Sequence, residues 1–415
     1  MTFMRPVEDT SSALLKAHLL AVKRFRDLRF GLFVNWGVYS IPGRGEWVMH
    51  QEQIPTAEYA KLPPQFAPSR FDAEAYADLM EAAGQKYMVF DAKHHDGFCL
   101  FDTALTDWKV TRTPFGRDPV AELAQALCKR SLILGFYYSL LDWTHPAYRN
   151  DWPAYVAYYQ GQIRELCTKY GEIGMIWLDG YWPAHPLPAP HFGEGGSWQL
   201  AETYDMIHTL QPNALIGNNH HVGPLKGEDF QMFEQDLPGE NTAGFNAESV
   251  GALPLESCLT VNGNWGYHAG DHNHKSPREL IRFLVQCIGR DSNLLLNVGP
   301  TPDGDVQPEH VERLRAVGDW LRINGEAVYE NRPGPVPPQP WGYVTHRPDD
   351  GRLFLHILDW PSASLTVPVP GDCSARLLCD ATRIATVSRE GAVTLSLPRT
   401  PPDKADTVVE LTLTP

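Results

Sequence analysis

The chain has 415 residues, 43% of them hydrophobic and 20% charged, a composition that supplies a sizeable core and excludes general disorder. Its 50 acidic and 35 basic residues give a formal net charge of -15 without any basic run, so nucleic acid and anionic membranes are poor candidate partners. A chain of this length exceeds what one core usually organises, which predicts two domains.

Cysteine usage and the N-terminal segment bear on the cellular compartment. The seven cysteines are scattered and form no Cys-x-x-Cys pair, which argues against a disulfide framework and a structural zinc site. The first 30 residues hold no apolar run of signal-peptide length, and no stretch of about 18 apolar residues occurs. We therefore expect a cytoplasmic protein, although a trimmed secreted or periplasmic chain would show the same pattern.

Short apolar runs alternate with amphipathic segments over the first 330 residues, which predicts repeated βα units. Asp118 before a proline, and Ser276 three residues before Glu279, predict helix starts, whereas Gly84 and Gly289 predict helix ends. Six or more such units predict an α/β fold with a (β/α)8-like barrel of the TIM type, irregular where the fifth to seventh strands are weakly marked. The predicted strands are 30–36, 87–92, 132–139, 173–179, 214–218 and 294–298.

The composition and hydrophobic pattern of the sequence change after residue 329. Closely spaced prolines between 333 and 340 predict a stiff linker. Period-two alternation then recurs in 352–358, 364–369, 392–397 and 407–413, which predicts a smaller antiparallel β-sandwich. We therefore assign residues 1–332 to a catalytic barrel and residues 333–415 to a β-sandwich that supports it.

Polar residues at the C-terminal ends of barrel strands face the active site in this architecture. Asp179 ends an apolar run, where a carboxylate either takes part in chemistry or begins a turn. His94 and His95 follow the second run, and their pattern alone is compatible with a metal site, with sugar hydroxyls or with a structural role.

Two further strand ends carry aromatic and polar groups. Tyr138 closes the third run, where it suits a sugar platform or the core of a strand. Glu46 and Trp47 follow the first run, and a carboxylate there binds hydroxyls or faces solvent. Carboxyls, imidazoles and aromatic rings at four strand ends, without a phosphate-binding loop, are what glycoside hydrolysis requires. A metal hydrolase that uses His94 and His95 remains an alternative.

Longer motifs follow one another in order over residues 28–330. They are Phe30-Gly31-Leu32-Phe33, Trp36-Gly37-Val38-Tyr39-Ser40, Gly45-Glu46-Trp47, Lys93-His94-His95-Asp96-Gly97-Phe98, Trp177-Leu178-Asp179-Gly180, Asn264-Trp265-Gly266-Tyr267 and Leu294-Leu295-Leu296-Asn297-Val298-Gly299-Pro300. Together they resemble the α-L-fucosidases of glycoside hydrolase family 29. The resemblance implies a retaining exo-glycosidase that releases terminal α-L-fucosyl residues from oligosaccharides or glycoconjugates, without metal or cofactor.

The resemblance also implies roles for single carboxyl groups. Asp179 matches the nucleophile, which forms a covalent glycosyl-enzyme. Glu256 matches one acid/base position of the family, and Glu234, Asp236 and Glu240 are rivals for that role.

Sugar contacts are implied in the same way. The residues concerned are Glu46, Trp47, His94, His95 and Tyr138 at hydroxyl groups, and Trp265 at the apolar 5-methyl side. Asn35 stands where the family has a histidine that binds a fucose hydroxyl, and a shorter amide contacts that position differently. This departure predicts a shift towards a fucose-like L-sugar such as an α-L-galactoside. A sugar-binding protein on an inactive hydrolase scaffold remains the other alternative.

Overall fold

The computed structural model describes residues 10–182, 198–361 and 363–413. Within these ranges the chain forms ten α-helices and sixteen β-strands. The helices are α1 (Thr10–Leu28), α2 (Val48–Gln51), α3 (Thr56–Tyr59), α4 (Ala73–Ala83), α5 (Pro119–Lys129), α6 (Pro146–Asn150), α7 (Trp152–Lys169), α8 (Leu200–Leu210), α9 (Pro277–Ile288) and α10 (Pro308–Asn324). The strands are β1 (Phe30–Val34), β2 (Tyr87–Lys93), β3 (Ile133–Ser139), β4 (Met175–Asp179), β5 (Leu215–Asn218), β6 (Gln231–Glu234), β7 (Leu255–Thr260), β8 (Ser292–Val298), β9 (Arg332–Pro333), β10 (Gly342–His346), β11 (Leu353–Ile357), β12 (Ser364–Val367), β13 (Cys373–Leu377), β14 (Arg383–Arg389), β15 (Ala392–Ser396) and β16 (Thr407–Leu413).

Strands β1 to β8 form one parallel sheet that curls into a nearly closed barrel, which confirms the predicted architecture. Their order is β5-β4-β3-β2-β1-β8-β7-β6, and Phe33 of β1 lies between Val89 of β2 and Asn297 of β8. Helices cover one face of the sheet and side chains fill the barrel interior on the other, which explains the continuous apolar runs in strands such as β1 and β4. All eight C-terminal ends meet at one rim.

The sheet ends at β5 and β6, which face each other across a seam on one side of the barrel. Asp229, two residues before β6, spans this seam. Its backbone N–H donates to the Ile216 carbonyl of β5 at 2.7 Å, and its Oδ2 accepts from the Ile216 N–H at 2.8 Å. The Asp229 carboxylate thus accepts a hydrogen bond that a backbone carbonyl of a neighbouring strand would accept in a regular sheet. The barrel is therefore irregular between β5 and β6, in the region where the sequence predicts weakly marked strands.

Capping residues set the turns between strands and helices. Asp118 accepts a hydrogen bond from the Ala121 N–H at the start of α5, and Ser276 and Glu279 form a reciprocal capping box at α9. Gly84 closes α4 with a φ of 79°, a conformation that glycine adopts without strain. The predicted helix boundaries at these positions are confirmed.

Strands β9 to β16 form a second, antiparallel sheet in the order β12-β15-β14-β13-β16-β11-β10-β9. Because β14 pairs with both β13 and β15, the sheet folds into two halves that enclose a common apolar core, as expected for a β-sandwich. Arg282 of α9 donates to the carbonyl oxygens of Ala405 and Leu358 of this domain. The β-sandwich therefore packs on the outer helices of the barrel. None of the helices in the described ranges is long and apolar enough to cross a membrane.

Candidate active site

A cavity of about 400 Å³ opens at the rim of the barrel, where the C-terminal strand ends meet. Its floor is aromatic and its walls carry carboxyl, imidazole and amide groups. It is lined by Phe33, Asn35, Glu46, Trp47, Gln51, His94, His95, Tyr137, Trp177, Asp179, Trp182, Asn219, His221, Glu234, Phe245 and Trp265. Most of the predicted site residues are thus brought together.

Asp179 is the last residue of β4, so the strand itself delivers the carboxylate to the cavity. Its Oδ2 accepts a hydrogen bond from the Tyr137 hydroxyl at 2.8 Å, and its Oδ1 accepts from the Gly180 N–H at 2.7 Å and from Trp182 Nε1 at 3.1 Å. Burial raises the pKa of Asp179 to about 6, and these donors oppose the rise. The carboxylate is therefore ionised near neutral pH and fixed in orientation.

Glu234 ends β6 and supplies a second carboxyl group to the same cavity. The Asn219 amide nitrogen lies between the two acids, 2.8 Å from Glu234 Oε2 and 3.5 Å from Asp179 Oδ1. Burial, followed by the negative charge of Asp179, raises the pKa of Glu234 to about 7. Two carboxyl groups with raised pKa values therefore share one cavity.

His95 is held as a neutral hydrogen-bond acceptor. The Ser139 hydroxyl donates to the Leu141 carbonyl at 2.7 Å, so at the contact of 2.7 Å between Ser139 Oγ and His95 Nδ1 the imidazole is the donor. Burial lowers the pKa of His95 well below its ordinary value. Its other nitrogen, Nε2, then carries a lone pair 3.7 Å from Asp179 Oδ2, where it can accept a hydrogen bond from a sugar hydroxyl.

His94 lies beside His95 with its ring stacked on Tyr137 at 5.2 Å. Burial and the adjacent Lys93 lower the pKa of His94 to about 3. The bulge that ends β2 between Asp91 and Lys93 explains how two consecutive histidines reach one cavity.

The loop after β1 forms the opposite wall. Glu46 accepts from the Gly266 N–H at 2.8 Å, and burial raises the pKa of Glu46. The Trp47 ring stands edge-on to His95 at 5.1 Å and stacks on Trp182 at 6.0 Å. This wall presents a flat apolar surface beside a carboxyl group, the combination that sugar rings with hydroxyl groups contact.

Trp265 and Asn35 complete the lining. The Asn297 amide donates to the Trp265 carbonyl at 2.8 Å, and its Oδ1 accepts from Asn35 Nδ2 at 2.7 Å. One N–H of the Asn35 amide is thus engaged, which leaves its second N–H and its Oδ1 for other contacts. Trp265 donates a hydrogen bond to Glu234, which opposes the rise in the pKa of that carboxyl.

Tyr138 lies outside the cavity, contrary to the sequence prediction. Its hydroxyl donates to Gln162 Oε1 of α7 at 2.6 Å, on the outer face of the sheet. Successive strand residues point to opposite faces, so Tyr137 rather than Tyr138 faces the rim. The prediction identified the correct strand end and was wrong by one residue.

Glu256 also lies away from the cavity, as the second residue of β7 and therefore deep in the barrel. Its carboxyl accepts hydrogen bonds from the Tyr87 hydroxyl at 2.5 Å and from Trp177 Nε1 at 3.0 Å. The ring of Phe33 packs on that of Trp177 at 5.2 Å in the layer above. This aromatic floor separates Glu256 from any bound sugar, so the structure does not support its predicted role.

The other two rivals are engaged in local structure. Asp236 accepts from the Ala243 N–H at 3.0 Å and from Asn246 Nδ2 at 2.9 Å, and Glu240 pairs with Arg290 at 2.6 Å. The lining of the cavity includes neither of them. Of the four acids considered from sequence, Glu234 is the one that meets Asp179.

Sequence reasoning missed several lining residues that the strand-end rule could have found. Asn219 and His221 directly follow the predicted strand 214–218, and Trp182 follows the one that ends at Asp179. Phe245 lies in a long loop after β6 and carries no such signal.

A larger groove of about 990 Å³ lies at the opposite end of the barrel, between α1, α5 and the starts of β3 and β4. Its surface is mainly apolar, with Lys129, Lys169 and Glu172 at its edge. Since its lining holds one carboxyl group and no pair, the groove does not offer the chemistry of the rim cavity.

Comparison with known proteins agrees with this geometry. A sequence model for the family described as alpha-L-fucosidase matches residues 8–326. The tissue alpha-L-fucosidase of Rattus norvegicus is 30% identical over 427 residues, covering 91% of this chain and 86% of the relative. The structure of alpha-L-fucosidase isoenzyme 1 from Paenibacillus thiaminolyticus has a TM-score of 0.84 at 36% identity, covering 96% of this chain and 100% of that one.

A further similar structure is that of a trapped covalent intermediate. It is an alpha-L-fucosidase from Bacteroides thetaiotaomicron in complex with 2-fluoro-fucosyl fluoride, obtained with a Glu→Gln mutant. Its TM-score is 0.84 at 28% identity, and the match covers 95% of this chain and 96% of that one. The similarity therefore extends over both the barrel and the C-terminal sheet.

Proposed function

The chain belongs to the α-L-fucosidase family, and on that premise we propose that it hydrolyses terminal α-L-fucosides with retention, using Asp179 and Glu234. The observation that carries this proposal is the pair of carboxyls on either side of the Asn219 amide, of which Asp179 is buried and Glu234 is partly buried. Retaining glycosidases hold their two carboxyl groups about 5–5.5 Å apart, and a pair joined through one amide nitrogen is compatible with that spacing.

In the first step Asp179 attacks the anomeric carbon of the fucosyl residue. A bond forms between its carboxylate oxygen and that carbon, while the bond to the leaving oxygen breaks. Glu234 transfers its proton to the leaving oxygen, and a pKa of about 7 keeps that proton available near neutral pH. The hydrogen bond from Tyr137 to Asp179 orients the attacking carboxylate.

In the second step the same glutamate acts as a base. Glu234, now ionised, takes a proton from water as the water oxygen attacks the anomeric carbon. The bond to Asp179 breaks, and both carboxyls return to their starting protonation states. Two displacements restore the original α configuration of the released sugar.

Sugar binding is assigned to the walls of the cavity. His95 and Glu46 offer acceptors for hydroxyl groups, and Trp265 offers an apolar face for the 5-methyl group. The natural substrates on this reading are fucosylated oligosaccharides or glycoconjugates.

The leaving group lies on the Glu234 side, because the proton donor must reach the bond that breaks. His221 Nε2 is 3.5 Å from Glu234 Oε2, and the Phe245 ring stacks on His221 at 5.6 Å. Phe245 keeps 42% of its surface exposed at the edge of the cavity. We assign it as the platform for the sugar to which fucose is linked.

The first experiment is hydrolysis of an aryl α-L-fucoside, followed by NMR in order to identify the anomer formed first. Release of the α anomer supports the proposal, and the β anomer would exclude a retaining mechanism. Incubation with 2-fluoro-fucosyl fluoride should add one fluorofucosyl mass to the peptide containing Asp179. If the protein binds fucose without any turnover, it is a sugar-binding protein on a hydrolase scaffold.

The position of Asn35 favours a second candidate, the α-L-galactoside. Asn35 is buried in the cavity wall, and its amide is shorter than the histidine side chain of the family pattern, which leaves room for a further polar substituent on the sugar. Asn35→His should raise the ratio of fucoside to galactoside kcat/KM by about tenfold. Asn35→Gln, which keeps the amide, is the control, and an unchanged ratio in Asn35→His excludes this role.

A further inference from the structure

Three side chains of metal-binding type meet on the outside of the barrel, at the seam between β5 and β6. His18 comes from α1, His208 from the last turn of α8, and Asp229 from the segment before β6. One ligating atom of each residue lies within 4.8 Å of the other two. Among the residues that the structure describes, no second group of three His, Cys, Asp or Glu side chains converges in this way.

The distances within this seam cluster are close to those around one ion. His208 Nε2 is 2.8 Å from Asp229 Oδ2, and His18 Nε2 is 3.3 Å from Asp229 Oδ1. Tetrahedral zinc binds imidazole nitrogen and carboxylate oxygen at about 2.0–2.2 Å, which places neighbouring donor atoms roughly 3.4 Å apart. Both measured separations lie within about 0.6 Å of that value.

The carboxylate is fixed before any ion binds. The backbone N–H of Asp229 donates to the Ile216 carbonyl at 2.7 Å, and the Asp229 carboxylate accepts from the Ile216 N–H at 2.8 Å. Its side chain is only 6% exposed, whereas those of His18 and His208 are 31% and 29% exposed. The site therefore has a rigid base and an open outer side, through which an ion and one water ligand can enter.

We propose that the seam cluster binds a divalent transition ion, with zinc preferred, and that the ion ties α1 to both ends of the barrel sheet. Two imidazoles and one carboxylate suit zinc, whereas magnesium and calcium prefer oxygen ligands alone. Without the ion, His208 donates its Nε2–H to Asp229, and the Nε2 atom of His18 lies 3.3 Å from the same carboxylate. On binding, the proton moves to Nδ1 and the Nε2 lone pair meets the metal.

The consequence is a gain in stability at the place where the sheet lacks a strand-to-strand ladder. β5 and β6 are joined here by the contacts of Asp229 with Ile216. An ion that also holds His18 and His208 adds α1 and α8 to that junction. Since it binds the folded chain and not the unfolded one, zinc should raise the midpoint of thermal unfolding.

The test uses the full chain after treatment with EDTA. Titration with zinc against a chromophoric chelator should show one saturable equivalent, and the unfolding midpoint should rise by about 2 °C or more. Magnesium should leave the midpoint unchanged. Cobalt should give the visible absorption of a tetrahedral site without a thiolate charge-transfer band, because the cluster has no cysteine.

Variants then locate the ion. His18→Ala and His208→Ala should each lower zinc affinity at least about tenfold and remove the zinc-dependent shift, while exposed His272→Ala, the matched control, should bind as the wild type does. The zinc-dependent difference is compared rather than the absolute midpoint, because each variant also loses a contact with Asp229. Wild-type protein that binds no equivalent, or both variants binding normally, would overturn the proposal.

Discussion

The rim of the barrel and its interior each hold a glutamate with a raised pKa, yet only the one at the rim lines the cavity. Burial raises the pKa of both Glu234 at the rim and Glu256 in the interior to about 7. Glu234 faces Asp179 across an open cavity, whereas Glu256 lies under Trp177 with both oxygens bonded by Tyr87 and Trp177.

The difference shows that a raised pKa marks burial, and that access decides chemistry. A carboxyl group satisfied by two donors in a closed layer stabilises the packing of that layer. The same group beside a second carboxylate and an opening can exchange its proton with a substrate.

The largest expected effect comes from removing the rim nucleophile. Asp179→Ala should lower kcat on an aryl α-L-fucoside by at least about 10³-fold, because Asp179 is the proposed nucleophile and alanine cannot form the covalent intermediate. Steady-state kinetics measure this loss, and added azide should restore turnover by attacking the anomeric carbon directly. A loss below tenfold would contradict the assignment of Asp179.

Paired substitutions of the two glutamates address the comparison directly. Glu234→Ala should slow hydrolysis by about 10²–10⁴-fold with a poor leaving group and less with an activated one, since activated groups depart without a proton. Glu256→Gln, whose Oε1 can still accept from Trp177 Nε1 while its amide nitrogen faces the Tyr87 hydroxyl as a donor, should keep kcat/KM within about threefold. If the hydrolysis rate of Glu256→Gln depended on the leaving group and that of Glu234→Ala did not, Glu256 rather than Glu234 would be the proton donor.

The pH dependence sharpens the same contrast. Asp179 must be ionised and Glu234 protonated, so kcat/KM should fall as pH drops through about 6 and also as it rises through about 7. Glu234→Gln should remove the alkaline limb, whereas Glu256→Gln should keep both limbs. An alkaline limb retained in Glu234→Gln would assign that proton to another group.

The smallest effect is expected at the edge of the cavity. Phe245→Ala should lower kcat/KM for a fucosyl disaccharide by about tenfold relative to fucosyl fluoride, which has no sugar leaving group. Phe245→Tyr keeps the ring and should restore the ratio. An unchanged ratio in Phe245→Ala would remove the platform role, while turnover of the fluoride tests the proposed activity separately.

Part of the fold could be predicted because burial on both faces leaves a continuous apolar run. The runs ending near Asp179 and Val298 were predicted and confirmed as β4 and β8. Strands β6 and β7 contain Glu234 and Glu256, whose polar side chains point inward and interrupt the pattern. Such strands have no hydrophobic signature, since hydrogen bonds inside the barrel replace apolar packing.

The sequence predicts at which strand end a site residue lies, but not which of two neighbouring side chains faces the cavity. The face on which Tyr137 and Tyr138 lie depends on the register of β3 between its neighbours, which a single strand does not specify. The meeting of His18, His208 and Asp229 depends on how α1 packs under the barrel, so residues far apart in sequence converge without any motif.

The aromatic floor formed by Phe33 and Trp177 closes the cavity from below, so in the part of the chain that the structure describes the cavity has its mouth at the rim. In the proposed double displacement the leaving group departs first, and the water that completes the reaction would enter by the path that the leaving group has vacated. Free sugar leaves last and returns to the resting protein by the same mouth. The released monosaccharide should accordingly compete with substrate for the empty site, and turnover should slow as it accumulates.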